Sequence, residues 1–311
     1  MRGSGKVTRV LVIINPVSGP RRRGIGALRV DHARRALARL TVRAEITLTE
    51  RGGHAHELAL AAVAAGVDLV IAWGGDGTVN EVGRALVQRA DEGAFSTARR
   101  AVPALGIVPG GSGNGLARAL RIPFAPEKAI EHALLAQPRQ IDAGELGDRM
   151  FFNVAGIGLD AHVAALVSIR VNHRGLLPYL TGVAGDLLRY QPVDYSVTTD
   201  GRTFPCSALF VAVANSKQYG FGAEIAPRAS VEDGMLDVVI VEDRRFLGNL
   251  VRVPSLFLRN VDRRDGIHST QVRELTIRCR EPMLFHVDGE AVQGSSTLAA
   301  RVHPGALRLQ A

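Results

Sequence analysis

At 311 residues the chain is longer than one typical domain, so two domains are expected. Its 46% apolar content argues against disorder, and its two cysteines, Cys206 and Cys279, argue against a disulfide framework or a zinc site and favour a reducing compartment. The formal net charge of +8 and a pI near 10.3 point to polyanionic partners: nucleotide, nucleic acid or an anionic membrane surface.

Met1 to Lys6 leads directly towards a strand, not into the apolar core of a signal peptide. No run of about 18 uninterrupted apolar residues occurs; the nearest, Leu58 to Trp73, is broken by Gly66-Val67-Asp68. These features predict a cytoplasmic protein with at most peripheral membrane contact.

Val7 to Ile14 reads as a strand ending at Asn15-Pro16-Val17-Ser18-Gly19. Pro16 and Gly19 shape a turn there, and Asn15 and Ser18 can hydrogen-bond phosphate or ribose oxygens. The arginines of Pro20-Arg21-Arg22-Arg23-Gly24 suit phosphates or lipid headgroups, and equally a solvated loop. An amphipathic helix follows over Ile25–Leu40, then a strand over Val42–Leu48. Thr49-Glu50-Arg51-Gly52-Gly53-His54-Ala55 opens a helix through Ala65. His54 and His56, two apart on a helix, do not share a face, so a metal pair is rejected there.

The apolar run Leu69–Trp73 reads as a buried strand, and Val79, Val82, Ala85 and Leu86 recur at helical spacing to about Ala90. Between them lies Gly74-Gly75-Asp76-Gly77-Thr78. A glycine-rich turn between a strand's carboxyl end and a helix's amino end is where open α/β sheets bind phosphates, because N–H groups and the helix dipole point at the ligand. Asp76 beside a phosphate would repel it, unless it works with Mg²⁺ or takes a proton; the plain alternative is a helix cap. After a polar loop over Asp91–Arg100, a further strand, Val102–Val108, delivers Pro109-Gly110-Gly111-Ser112-Gly113-Asn114-Gly115 to a helix at Leu116–Leu120. The dinucleotide fingerprint fails, since its third glycine would fall at Leu116, and no Walker A loop exists. Three phosphate-type turns are thus expected at one edge of a parallel sheet. A helix over Glu127–Ala136 closes the region.

From about Pro138 the texture becomes that of an antiparallel β domain. Strands are expected at Gln140–Leu146, Met150–Ala155, Val193–Thr199, Ala208–Ala214, Leu236–Val241, Val272–Cys279 and Met283–Val287, with Asp200-Gly201 as a hairpin turn. The helical, apolar interruption Ala161–Tyr190, with Arg170, Arg174 and Arg189, fits a hydrophobic substrate cleft or a simple cap on the sandwich. Arg244–Leu258 reads as a short helical insert. Tyr219–Pro227 is a glycine-rich loop, and the following Val231–Asp237 turn could hold a cation through Asp233 and carbonyls. Phe285-His286-Val287-Asp288-Gly289-Glu290 places two carboxylates around a glycine; in a plain hairpin this would be an ordinary Asp-Gly turn.

Asn15-Pro16-Val17-Ser18-Gly19, Gly74–Thr78, Ser112-Gly113-Asn114 and Asp288-Gly289-Glu290, in this order and at these distances, resemble the diacylglycerol kinase catalytic-domain family, which includes bacterial lipid kinases, sphingosine kinases and ceramide kinases. Thr49–Ala55, Gly156–Asp160 and Asp233–Asp237 also look like family segments, so the resemblance spans essentially the whole chain. It implies a parallel-sheet α/β nucleotide-binding domain over residues 1–137, of phosphofructokinase and NAD kinase type, and a β-sandwich over 138–311 whose residues from about 304 return to the first domain. It further implies ATP in the interdomain cleft and Mg²⁺-dependent transfer of the γ-phosphoryl to a lipid hydroxyl, diacylglycerol or a sphingoid lipid.

By the family pattern, Asn15, Pro16, Thr49, Gly74, Gly75, Gly77, Thr78, Glu81, Ser112, Gly113 and Asn114 cradle ATP, with Gly289 approaching it from the second domain. Glu290 is the expected base, with Asp288 assisting the metal or ATP; in sphingosine-type relatives Asp76 is favoured as base. Asp160 would face the substrate, and Ser230, Asp233 and Met235 resemble a structural cation site. Many bacterial members carry Gly-Thr-x-Asn-Asp-Phe-Ala after the fourth strand, whereas Gly111–Ala117 is closer to the sphingosine-kinase form, which leaves the acceptor lipid open. Two other functions share parts of this pattern. An NAD-kinase-like enzyme shares Gly-Gly-Asp-Gly-Thr, but its second nucleotide motif has no counterpart here. A non-catalytic nucleotide or nucleic-acid binder is disfavoured by the intact acids and by an aromatic content of 5%. The expected partners are therefore ATP, a lipid and an anionic membrane surface, not nucleic acid, and a homodimer is left open.

Overall fold

A computed structural model of the chain describes residues 9–19, 24–93, 102–170, 190–220, 223–242 and 266–311. Arg21–Arg23, Arg174, Arg189 and the 244–258 insert lie outside the described residues. The contacts divide the chain into two units, Met1–Ile141 with Gly305–Ala311, and Asp142–Pro304.

The first unit alternates strand and helix. Its elements are β1 (Val10–Ile14), α1 (Ile25–Arg39), β2 (Ala44–Leu48), α2 (His54–Ala65), β3 (Leu69–Gly74), α3 (Asp76–Gly93), β4 (Ala104–Pro109), α4 (Gly115–Ala119) and α5 (Pro126–Leu135). β1, β3 and β4 are buried at every residue, as strands covered on both faces of a parallel sheet must be. Each fully buried Ile or Leu there contributes roughly 1.5–3 kcal/mol. The sheet order is β4-β3-β1-β2, all parallel, and Leu309 near the chain's end pairs in parallel with Leu105 of β4. α2 presents Ala55, Ala59 and Ala62 inward, a stripe at i, i+4 and i+7. α5 settles closely on β4: a Cβ at Gly106 would fall 2.7 Å from that of Ala133.

The chain crosses into the second unit within β5 (Pro138–Leu146). That unit contains β6 (Arg149–Phe151), β7 (Val154–Gly158), α6 (Leu159–Arg170), β8 (Val193–Thr199), β9 (Arg202–Ala214), β10 (Gln218–Gly220), β11 (Ala223–Glu224), β12 (Leu236–Glu242), β13 (Ile267–Val272), β14 (Glu274–Arg278), β15 (Leu284–Val287), β16 (Glu290–Gln293) and most of β17 (Thr297–Gln310).

β9 serves two partners in turn: Arg202–Ala208 pair with β8, whereas Phe210–Ala214 lie between β7 and β12. One set of strands thus runs β16-β15-β7-β9-β12-β13 and the other β9-β8-β14-β17. Phe151, Ile157, Val211, Val238, Ile277, Phe285 and Leu298 fill the shared core, alternating along their strands with residues of the outer faces. The Asp200-Gly201 hairpin forms as expected, with φ of 49° and 71°. Among the described residues no helix is long and apolar enough to cross a membrane.

Candidate active site

In the first unit the parallel register brings the carboxyl ends of β1, β2, β3 and β4 side by side. The turns that follow them are tied together by backbone hydrogen bonds: Asn15 N–H donates to Trp73 O (2.9 Å), Thr49 N–H to Ile14 O (2.8 Å) and Gly110 N–H to Gly74 O (2.7 Å). Asn15 Nδ2 donates to Thr78 Oγ1 at 3.0 Å, and Asn15 Oδ1 accepts the Val17 N–H. The glycines allow this convergence: a Cβ on Gly75 would meet Gly111 Cα at 3.2 Å, and one on Gly111 would collide with Gly75. Around Gly77, by contrast, there is open space. Asn114 adopts a left-handed φ of 51° and bonds reciprocally with Gly111, accepting its N–H at 2.9 Å and donating to its carbonyl at 2.7 Å. Ser112 stays exposed beside it.

Arg29 of α1 latches two of these turns. It is 7% exposed and donates to Asn15 O, to Ser18 Oγ (2.7 Å), to Ser18 O (2.8 Å) and to Gly110 O (3.0 Å). Its guanidinium also lies 5.9 Å from the centre of the Trp73 ring, and burial lowers its pKa. Glu81 of α3 has a comparable role. Its carboxylate accepts the N–H groups of Gly53 (2.9 Å) and Ala55 (3.1 Å), supplying the cap that Gly53, without a side chain, cannot give to α2. Asp76 is the first residue of α3, partly buried, where first-turn N–H groups have no partner within the helix.

In the second unit, β15 and β16 form a two-residue hairpin in which Val287 pairs with Glu290. Asp288 and Gly289 take φ of 48° and 86°, the left-handed pair a type I′ turn requires. The Asp288 carboxylate is turned back onto the backbone before β7, accepting the N–H groups of Phe152 (3.0 Å), Asn153 (2.9 Å) and Val154 (3.2 Å), while Asp288 N–H donates to Val154 O. Its expected reach towards a metal or ATP competes with these three donors. Glu290 is exposed, and among the described residues its carboxylate has no hydrogen bond or ion pair.

Asp160, at the start of α6, is 11% exposed at its side chain. Its Oδ2 accepts the Tyr219 hydroxyl at 2.8 Å and lies 3.4 Å from His286 Nε2, and its Oδ1 accepts the Ala161 N–H at 2.7 Å. Gly156 makes room for it, since any Cβ there would collide with the carboxylate. Desolvation of the Tyr219 hydroxyl, with the charge of Asp160 beside it, pushes its pKa well up and keeps it a donor.

The loop expected to hold a cation is closed on itself. Ser230 Oγ accepts the Glu232 N–H at 3.3 Å, Asp233 Oδ1 accepts the Met235 N–H at 3.1 Å, and the buried Asp142 accepts the Gly234 N–H at 2.7 Å. Among the described residues no three His, Cys, Asp or Glu side chains are grouped as metal ligands. A hard cation at this loop would therefore draw on Asp233, the Ser230 hydroxyl and backbone carbonyls, an oxygen set that suits Mg²⁺ or Ca²⁺.

Comparison with known proteins bears on this arrangement. Residues 9–146 match the diacylglycerol kinase catalytic domain, and residues 153–311 match the YegS C-terminal NAD kinase beta sandwich-like domain. The chain belongs to the diacylglycerol kinase catalytic-domain family. A protein named probable lipid kinase YegS-like from Chromohalobacter salexigens is 32% identical over 86% of this chain and 83% of its own length. A diacylglycerol kinase from Bacillus subtilis is 28% identical over 91% and 89%. A crystal structure of a diacylglycerol kinase from Bacillus anthracis shares the fold, with a TM-score of 0.69 at 20% identity, covering 97% of this chain and 96% of that one. The expected architecture for this kinase family, a parallel α/β domain followed by a β-sandwich-like domain, is borne out.

Of the residues singled out in the sequence, Asn15, Pro16, Thr49, Gly74–Thr78, Glu81 and Ser112–Asn114 fall on the converging turns of the kinase's first unit, or on the helices that hold them. Asp160, Asp288, Gly289 and Glu290 are grouped at the β7–β15–β16 edge of the second. Ser230, Asp233 and Met235 lie on the separate loop before β12. Sequence reasoning missed Arg29, His286 and Asp142. An arginine on an amphipathic helix reads as solvated, and only a long-range contact reveals otherwise.

Proposed function

We propose that this lipid kinase transfers the γ-phosphoryl of ATP to the hydroxyl of diacylglycerol or a sphingoid lipid, with the first unit's turns holding the nucleotide and Glu290 taking the acceptor proton. In phosphoryl transfer the protein mainly positions groups and offsets charge. The turns after β1, β3 and β4 supply N–H groups and the amino end of α3 to the phosphates. Mg²⁺, when bound with the nucleotide, would neutralise phosphate charge, and Asp76 would help to hold it. The loop at Ser230, Asp233 and Met235 would keep a separate structural cation. Binding to an anionic bilayer surface would bring the enzyme to its lipid, in keeping with the +8 charge.

One observation carries the choice of base. Of the two acids on the hairpin, Asp288 has its carboxylate on three backbone N–H groups, whereas Glu290 is exposed and unpartnered among the described residues. A base must come within about 3 Å of the proton it takes, which requires a carboxylate that can reach. The first experiment is transfer from radiolabelled ATP to a panel of lipids and to NAD. A labelled lipid is the expected product; label on NAD with none on any lipid would overturn the assignment.

A further inference from the structure

Asp160 was expected to face the substrate, yet both its oxygens are engaged inside the second unit. The contacts continue from it to the hairpin. Tyr219 donates to Asp160, Asp160 lies against His286 Nε2, and His286 Nδ1 faces the Gly289 N–H at 3.4 Å. His286 is 4% exposed, and its ring centre stands 6.1 Å from that of Tyr219. We infer that His286, oriented by Asp160 and Tyr219, is a positioning residue that holds the Asp288-Gly289 turn and so aims Glu290. This rests on the reading of Glu290 as base.

The Gly289 N–H can only donate, so Nδ1 of a facing imidazole must be the unprotonated acceptor. The ring proton then sits on Nε2, on the side of the Asp160 carboxylate. A carboxylate on one ring nitrogen fixing the role of the other is how histidines are generally oriented. Tyr219 and the Ala161 N–H hold that carboxylate in turn. Strand pairing supplies the frame: His286 sits opposite Gly156 on β7, and the missing side chain at Gly156 is what admits Asp160 against the histidine. On its other flank the turn is tied by Asp288 to residues 152–154. Both residues ahead of Glu290 are therefore anchored, and Glu290 alone projects.

The test uses the full-length protein with ATP and a lipid it phosphorylates. His286→Gln retains a donor near Nε2 but loses the acceptor at Nδ1; His286→Asn retains an acceptor near Nδ1. The expected result for His286→Gln is a kcat lowered about tenfold with the KM for ATP unchanged and a folded protein by circular dichroism. His286→Asn should recover part of that kcat. Tyr219→Phe should lower kcat several-fold. In a Glu290→Gln background, adding His286→Gln should cost little more, since residues acting as a unit are not additive.

Unchanged kcat in folded His286→Gln overturns the positioning role, as does a full tenfold loss on top of Glu290→Gln. If Glu290→Gln itself keeps wild-type turnover, the base assignment fails, whatever the histidine does. Should His286→Gln not fold, the Tyr219→Phe pair, with and without Glu290→Gln, decides by the same criterion.

Discussion

Arg29 Nη2 lies 3.0 Å from the carbonyl oxygen of Gly110, joining the first helix of the chain to the turn after β4. The same guanidinium donates to Asn15 O and to both oxygens of Ser18. One side chain therefore sets the spacing of two turns expected to touch phosphate. Removing it takes a donor from three part-buried carbonyls, at a cost of up to about 1–3 kcal/mol each where water cannot replace it. Arg29→Lys keeps the charge but not the fork of donors, so it should not rescue fully. Arg29→Ala is expected to raise the KM for ATP by about tenfold or more and to lower the urea midpoint, with Arg29→Lys in between. A KM for ATP identical to wild type in both variants would show that the latch is unrelated to the nucleotide.

Glu81 offers a second such test. It caps α2 with two carboxylate oxygens, and Gln can accept with only one. Loss of a helix cap costs about 0.5–2 kcal/mol. Glu81→Gln should therefore lower the thermal midpoint by a few degrees and weaken ATP binding modestly. Calorimetry and ATP titration measure the two effects, and a wild-type midpoint would contradict the capping role.

The parallel strands were legible because β1, β3 and β4 are continuous apolar runs between turn residues, and Asp200-Gly201 because its turn chemistry is local. What escaped the reading is non-local. Met150–Ala155 reads as one strand, but the chain breaks at Phe152-Asn153, where the Asp288 carboxylate takes N–H groups from across the unit. Val272–Cys279 reads likewise, yet it changes partner at Arg273, with β13 pairing to β12 and β14 to β8 and β17. β17 runs unbroken through Pro304-Gly305, a pair that argues against a strand when only sequence is considered. In the site, the motif acids were readable, but the partners that hold them were not. Nothing local to Tyr219, Asp160 or His286 shows that they meet.

Asp76 opens α3 beside the glycine turn, where a carboxylate next to phosphate is tolerated only with a cation or a proton. Asp76→Asn is expected to abolish turnover while leaving the circular dichroism spectrum and thermal midpoint close to wild type. A folded variant with near wild-type activity would exclude Asp76 from the chemistry.

The +8 charge predicts that activity on vesicles rises with anionic lipid and falls with salt. Each basic residue near an anionic surface contributes roughly 1 kcal/mol, and salt screens it over about 10 Å at 0.1 M. Co-sedimentation with neutral and anionic vesicles at low and high ionic strength measures this directly. Equal binding to both at low salt would remove charge as the basis of membrane contact.

The two acids of the hairpin should separate cleanly. Asp288 accepts three backbone N–H groups, so Asp288→Asn turns an amide NH₂ towards donors and leaves at least one of them unpaired. With charge-assisted hydrogen bonds worth about 1.5–3 kcal/mol each, the expected first effect is on stability, a lower urea midpoint, with activity falling as the turn loosens. Glu290 makes no such bonds among the described residues, so Glu290→Gln should leave the midpoint unchanged. Its loss should appear in kcat, by a factor of about 10²–10⁴ as is usual for a positioned acid or base, with the KM for ATP nearly constant. Urea titration and steady-state kinetics on the two variants measure both quantities. If Glu290→Gln keeps its turnover and instead loses ATP affinity, Glu290 is a nucleotide contact, and Asp76 becomes the base.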